Sequence, residues 1–123
     1  MIREIDSHDW QEFCRRISLQ RQGAVVSIEV VAPDGLKTER AGNVTLQEMS
    51  FDASGACNDI ISLRVRNERE ELYEVIDPIH IKLKETENGN DFNSVQIDAE
   101  NGTTWLTIHP AIHAQMLAGL KIN

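Results

Sequence analysis

The stretch Ile79-His80-Ile81-Lys82-Leu83-Lys84-Glu85-Thr86-Glu87-Asn88-Gly89-Asn90-Asp91-Phe92-Asn93-Ser94-Val95-Gln96-Ile97-Asp98-Ala99-Glu100-Asn101-Gly102-Thr103-Thr104-Trp105-Leu106-Thr107-Ile108-His109-Pro110 decides the fold. Apolar and polar residues alternate along it, and two Asn-Gly pairs interrupt the alternation. Asn-Gly between alternating runs is the strongest short-range signal for a β-hairpin. The stretch therefore reads as three antiparallel strands folded back twice.

The two turns are not equivalent. A two-residue turn at Asn101-Gly102 pairs Glu100 with Thr103, so that opposed residues sum to 203. It sets Ile97 against Leu106 and Val95 against Ile108 on one face, and Asp98 against Trp105 and Gln96 against Thr107 on the other. Turn chemistry and apolar parity agree there. The same geometry at Asn88-Gly89 would oppose Leu83 to Ser94 and mix the faces. Shifting by one opposes Leu83 to Val95 and Ile81 to Ile97. Asn88-Gly89 then lies inside an odd-length loop, such as Glu87 to Asp91, or beside a bulge. In that register His80 faces Asp98, and a row His80, Asp98, Trp105 crosses the outer face of the sheet.

Working outward, residues 8–20 read as a helix, because Trp10, Phe13, Cys14 and Ile17 make one apolar stripe. Ser7 is the expected N-cap and Gly23 the expected stop. Val25 to Val31 is rich in β-branched residues and reads as a buried strand. Pro33-Asp34-Gly35 is a turn, since Pro presets φ and Gly permits positive φ. Residues 36–53 read as one or two strands with a break or bulge at Gly42-Asn43. Ser54 to Asp59 is a loop. Ile61, Leu63 and Val65 mark another strand, and Leu72 to Ile76 a further one that ends at Asp77-Pro78. Pro110 suits the first position of a short helix through about Ala118. The expected fold is α+β in one domain spanning residues 1–123. An N-terminal helix precedes a strongly curved antiparallel sheet or small barrel of six to eight strands, and a short C-terminal helix closes the chain.

At 123 residues, with 41% hydrophobic and 26% charged side chains, the chain can bury a core without a metal or disulfide staple. Its net charge is −8. Residues 68–100 hold 3 basic and 10 acidic side chains, net −7. This acidity argues against nucleic acid and anionic membranes, which select clustered Lys and Arg. The acidic segment reads first as a solvated face, and otherwise as an acidic docking surface. The opening Met1-Ile2-Arg3-Glu4-Ile5-Asp6 is charged and lacks the apolar core of an export signal, so a cytoplasmic location is expected.

Chemistry has few footholds. A carboxylate beside an imidazole orients it and raises its pKa, so His80 and Asp98 are the one pair that parity brings together. The structural alternative is a cross-strand charge pair, with Trp105 covered by the helix. His109 and His113 have the spacing of a helical metal pair. A residue before proline disfavours helix, however, so His109 should be extended while His113 is helical, and no metal is expected. Cys14 belongs to the helix stripe. Cys57 sits in a loop near Asp52 and Asp59, which disfavour a thiolate. No cofactor is expected.

Four blocks carry a resemblance: Ser7-His8-Asp9-Trp10-Gln11-Glu12-Phe13, Gly23-Ala24-Val25-Val26-Ser27-Ile28-Glu29-Val30, Tyr73-Glu74-Val75-Ile76-Asp77-Pro78 and Gln96-Ile97-Asp98-Ala99-Glu100-Asn101-Gly102-Thr103-Thr104. With these the chain resembles a small prokaryotic family catalogued as domain of unknown function 5335. The resemblance spans nearly the whole chain, with the tail after Pro110 matching least. It implies a stand-alone cytosolic domain and supplies no catalytic residues. The expected role is a non-enzymatic module that binds another protein, or itself as a homodimer, through a face bearing His80, Asp98, Trp105, Thr107 and His109. The alternative is a weak hydrolase or small-ligand protein using His80 and Asp98.

Overall fold

The computed structural model describes residues 2–53, 58–86 and 91–122. The elements in chain order are β1 (Ile2–Ile5), a 3-10 turn (Ser7–Asp9), α1 (Trp10–Arg21), β2 (Val25–Val31), β3 (Lys37–Ala53), β4 (Asp59–Arg66), β5 (Glu70–Ile76), β6 (Pro78–Glu85), β7 (Asp91–Ala99), β8 (Gly102–His113) and a closing 3-10 turn (Ala114–Leu117). The eight strands make one antiparallel sheet in the order β1-β6-β7-β8-β2-β3-β4-β5. The sheet curls without closing, so β1 and β5 are its two ends.

The curl has a local origin in β3. This 17-residue strand pairs with β2 through its first half and with β4 through its second. The register slips where Ile28 meets Ala41 and again between Leu46 and Glu48. Asn43 takes φ +52, a conformation that Asn tolerates better than most residues. Bulges of this kind bend and twist a strand. The break expected at Gly42-Asn43 is thus a bulge inside one long strand.

One sheet face is the core. Ile28, Leu46, Ile61, Leu63, Ile81, Leu83, Ile97 and Leu106 are fully buried. α1 lays Trp10, Phe13, Cys14 and Ile17 on this face against β3. Polar links help to hold it there. The Trp10 indole N–H donates to the Ile5 carbonyl at 3.1 Å, with its ring edge-on to Phe51. The Ser18 hydroxyl accepts from the Met49 amide at 2.8 Å and lies 2.7 Å from the Met49 carbonyl. Burial pushes the Cys14 thiol up to about 12, which makes it a packing residue.

Several expectations need correction. The first strand precedes the helix, and at four residues it is too short to show a period. Asp6, not Ser7, caps the entry, accepting from the His8 amide at 2.9 Å. Asp9 is the N-cap position of α1, but its carboxylate accepts from the Lys121 amide at 2.7 Å and so ties down the C-terminal segment.

The helix expected after Pro110 is a continuation of β8. Phe92 pairs with Ile112 and Asp91 with His113, beyond an irregularity between Phe92 and Ser94. Burial of Ile112 and Leu117 outweighs the local preference of Pro for a helix start. Only the single 3-10 turn Ala114–Leu117 is helical in this segment.

The two hairpin registers fared differently. β6 and β7 pair as parity requires, Leu83 with Val95, Ile81 with Ile97 and His80 with Asp98, with a slip between Lys84 and Glu85. The Asn88-Gly89 turn itself lies outside the described residues, as do Ser54 to Cys57. β7 and β8 pair two residues away from the expected register. Ala99 meets Gly102 and Val95 meets Leu106, so opposed residues sum to 201 and the tight turn is Glu100-Asn101. Faces are preserved, because a slip of two keeps parity.

Candidate functional site

The outer face of β6, β7 and β8 carries the residues that the sequence singled out. His80 is opposite Asp98, as expected. Trp105 is not opposite Asp98. It faces Gln96 on β7 and Glu29 on β2, and Thr103 takes the place beside Asp98. Nor is Trp105 under the helix, which lies on the core side.

His80 and Asp98 turn to different partners. The His80 Nδ1 is 2.8 Å from the Glu4 carboxylate on β1. Both oxygens of Asp98 are engaged. Oδ1 accepts from Gln96 at 2.8 Å and from Thr103 at 3.1 Å, while Lys82 Nζ is 3.1 Å from Oδ2. Partial burial raises the Asp98 pKa, but the hydrogen bonds from Gln96, Lys82 and Thr103 and the Lys82 charge outweigh it. The carboxyl therefore sits below its ordinary range. Asp98 is thus an ionised member of a cluster with Lys82, Gln96 and Thr103.

A carboxyl whose folded pKa is lowered adds stability above its unfolded value of about 3.9 and loses it as pH falls through the folded value. Asp98→Asn should therefore be less stable than the parent at pH 7. The gap should narrow as pH drops below about 4. Urea midpoints of both proteins from pH 3 to 7 check this, and a gap independent of pH refutes it.

Trp105 and Thr107 share a shallow hollow of about 390 Å³ with Ser27, Glu29 and Glu39. His109 is exposed farther along β8, opposite Val25. His113 is extended, not helical, with Nδ1 2.6 Å from Asp91. The expected face is thus a fairly flat strip in which Trp105 and Thr107 adjoin, His80 and Asp98 are engaged elsewhere, and His109 stands apart.

A more concave feature lies at the end of the sheet near the β2–β3 connection. A cleft of about 430 Å³ opens between β5 and the core-side residues of β2 and β8, with Val30, Thr38, Leu72, Ile76 and Thr104 among its walls. Strands β8 and β5 are four places apart in the sheet, and only the curl lets them line one cleft. Three exposed apolar residues border it, Leu36 at 66%, Leu72 at 57% and Ile76 at 47%, the last two on the outward face of the edge strand. Single exposed apolar residues are ordinary, but three around one concavity are a patch.

Beside the cleft, the Tyr73 hydroxyl lies 2.9 Å from the Arg40 carbonyl and 2.6 Å from the Glu71 carboxylate, so it spans β5 and β3. Its pKa is raised by the hydrogen bond to Glu71, with burial and the Glu71 charge adding to the effect. The hydroxyl thus stays protonated.

Sequence reasoning missed this cleft. A signal existed in Leu72-Tyr73-Glu74-Val75-Ile76, where Tyr73 and Val75 face the core while Leu72 and Ile76 face out. An apolar residue on both faces of one strand has meaning only once that strand is known to be at an edge.

Among the described residues, no helix is long and apolar enough to cross a membrane. Residues 1–110 match the model of a family described as a family of unknown function (DUF5335). No curated protein and no solved structure matches the chain.

Proposed function

The chain belongs to the family of unknown function DUF5335, and from that premise we propose that it is a non-enzymatic interaction module that docks protein through the cleft beside β5. The observation that carries this reading is that exposed Leu36, Leu72 and Ile76 border one concave opening at the edge strand. Apolar patches rimmed by polar groups favour protein contact, because covering them removes apolar surface from water. The rim here is polar, with Arg40 and Glu74 at its margin. The Trp105 strip on the outer face is a second, flatter contact surface, supported by the half-buried indole beside Thr107.

The test places a photo-crosslinking amino acid at Leu72 in the cell that makes the protein. Leu19, 69% exposed on α1, serves as the control position. Discrete adducts are expected from Leu72, identified by mass spectrometry, and weakened when Ile76→Asp is combined with the probe. An adduct of twice the chain mass identifies a second copy as the partner. If Leu72 yields no more adduct than Leu19, the reading fails.

A further inference from the structure

We infer that the occupant of this cleft is an extended, basic segment of another protein, which adds to β5 as a ninth strand. The inference rests on the interaction reading above and names the chemistry of its partner.

The two ends of the sheet are treated differently. At one end, the C-terminal segment covers β1: Ile122 bridges Ile5, and the Asp6 amide donates to the Lys121 carbonyl at 2.9 Å. At the other, β5 pairs with β4, and among the described residues no strand lies beyond it. An uncovered edge presents a row of backbone donors and acceptors ready for another strand. Proteins usually blunt such an edge with very short strands, covering segments or charged side chains, Lys above all. Here the edge strand is seven residues long and carries exposed Leu72 and Ile76. The cleft beside it has room for side chains of an added strand.

Charge selects the occupant. β5 contains Glu70, Glu71 and Glu74 and no basic residue. Pairing β5 with the β5 of a second copy would set six carboxylates on two adjacent strands that carry no basic residue of their own. Like charges on paired strands are destabilising. Glu70 has Arg64 at 3.2 Å, and Glu71 has Arg69 at 3.7 Å. Glu74 stands opposite Ser62, between Leu72 and Ile76 on the outward face, and has no ion pair among the described residues. A strand with Lys or Arg beside Glu74 would supply the missing charge. The aliphatic stems of its basic residues would cover Leu72 and Ile76, while alternate β-branched residues enter the cleft.

The probe is a blocked octapeptide of four Lys-Val repeats, titrated into isotope-labelled protein and followed by amide shifts. Saturable shifts confined to β5 and the cleft are expected. Affinity should fall roughly ten-fold or more in Glu74→Lys, with its melting curve preserved. It should also vanish when alternate peptide amides are N-methylated, since methylation removes strand donors. A Glu-Val peptide should not bind. Equal binding of the N-methylated peptide, or shifts centred elsewhere, overturns the inference. Absence of Lys-Val binding in a protein that crosslinks at Leu72 overturns the basic-strand partner alone. Absence of both overturns the interaction reading itself.

Discussion

Phe13→Ala lowers the unfolding free energy by about 3–5 kcal/mol, the range for removing a large aromatic from a packed core. Phe13 is fully buried at the centre of the α1 stripe, between Trp10 and Ile17. The 12-residue helix is too short to persist by its own hydrogen bonds, so its stability comes from seating that stripe on the sheet. Truncation leaves a void that the bulged β3 beneath it cannot fully collapse into. Leu19→Ala, on the solvent side of the same helix, should change stability by no more than about 0.5 kcal/mol. Urea denaturation of both variants makes the comparison. A Phe13→Ala loss below about 1 kcal/mol is outside the range for a buried aromatic and means the helix is not seated on this face.

Gly102→Val should cost about 3 kcal/mol, combining backbone strain with steric overlap. Gly102 has φ +142, in a region that side chains rarely enter. A Cβ there would lie 2.6 Å from the Val31 carbonyl oxygen, which is backbone and cannot swing aside. The residue is the first of β8, directly across from Ala99, with the turn made by Glu100 and Asn101. Its demand for glycine therefore comes from the approach of β2 as well as from the turn. A Gly102→Val protein with unchanged urea midpoint would contradict both the close approach and the register that creates it.

Much of the fold could be read from residue order. The α1 stripe appeared at helical spacing, and its four apolar members are the buried ones. Strand faces were legible wherever one side of a strand was apolar. The β6–β7 register followed from parity alone, because a one-residue error would have buried Ser94 and Gln96. The site was less legible. The His80–Asp98 adjacency is real in the backbone, but Lys82 and Gln96 reach Asp98 while Glu4 reaches His80. Side chains choose among several partners at similar range, and pairing position does not rank them.

Sequence by itself determined what is periodic and local: which residues make the helix stripe, which face of each strand is apolar, and where chain reversals occur. Tertiary structure decided what periodicity cannot distinguish. A two-residue slip of β8 on β7 leaves every side chain on its own face, so parity could not choose between sums of 203 and 201, and the choice was made in the assembled sheet, where β8 also pairs with β2. Pro110 stayed in a strand because Ile112 gained a buried place there. β5 became an edge, and Leu72 and Ile76 the rim of a cleft, through the order and curl of strands distant in sequence. The physical reason is one of range: parity acts between neighbours along the chain, whereas edges and clefts arise from which surfaces meet across it.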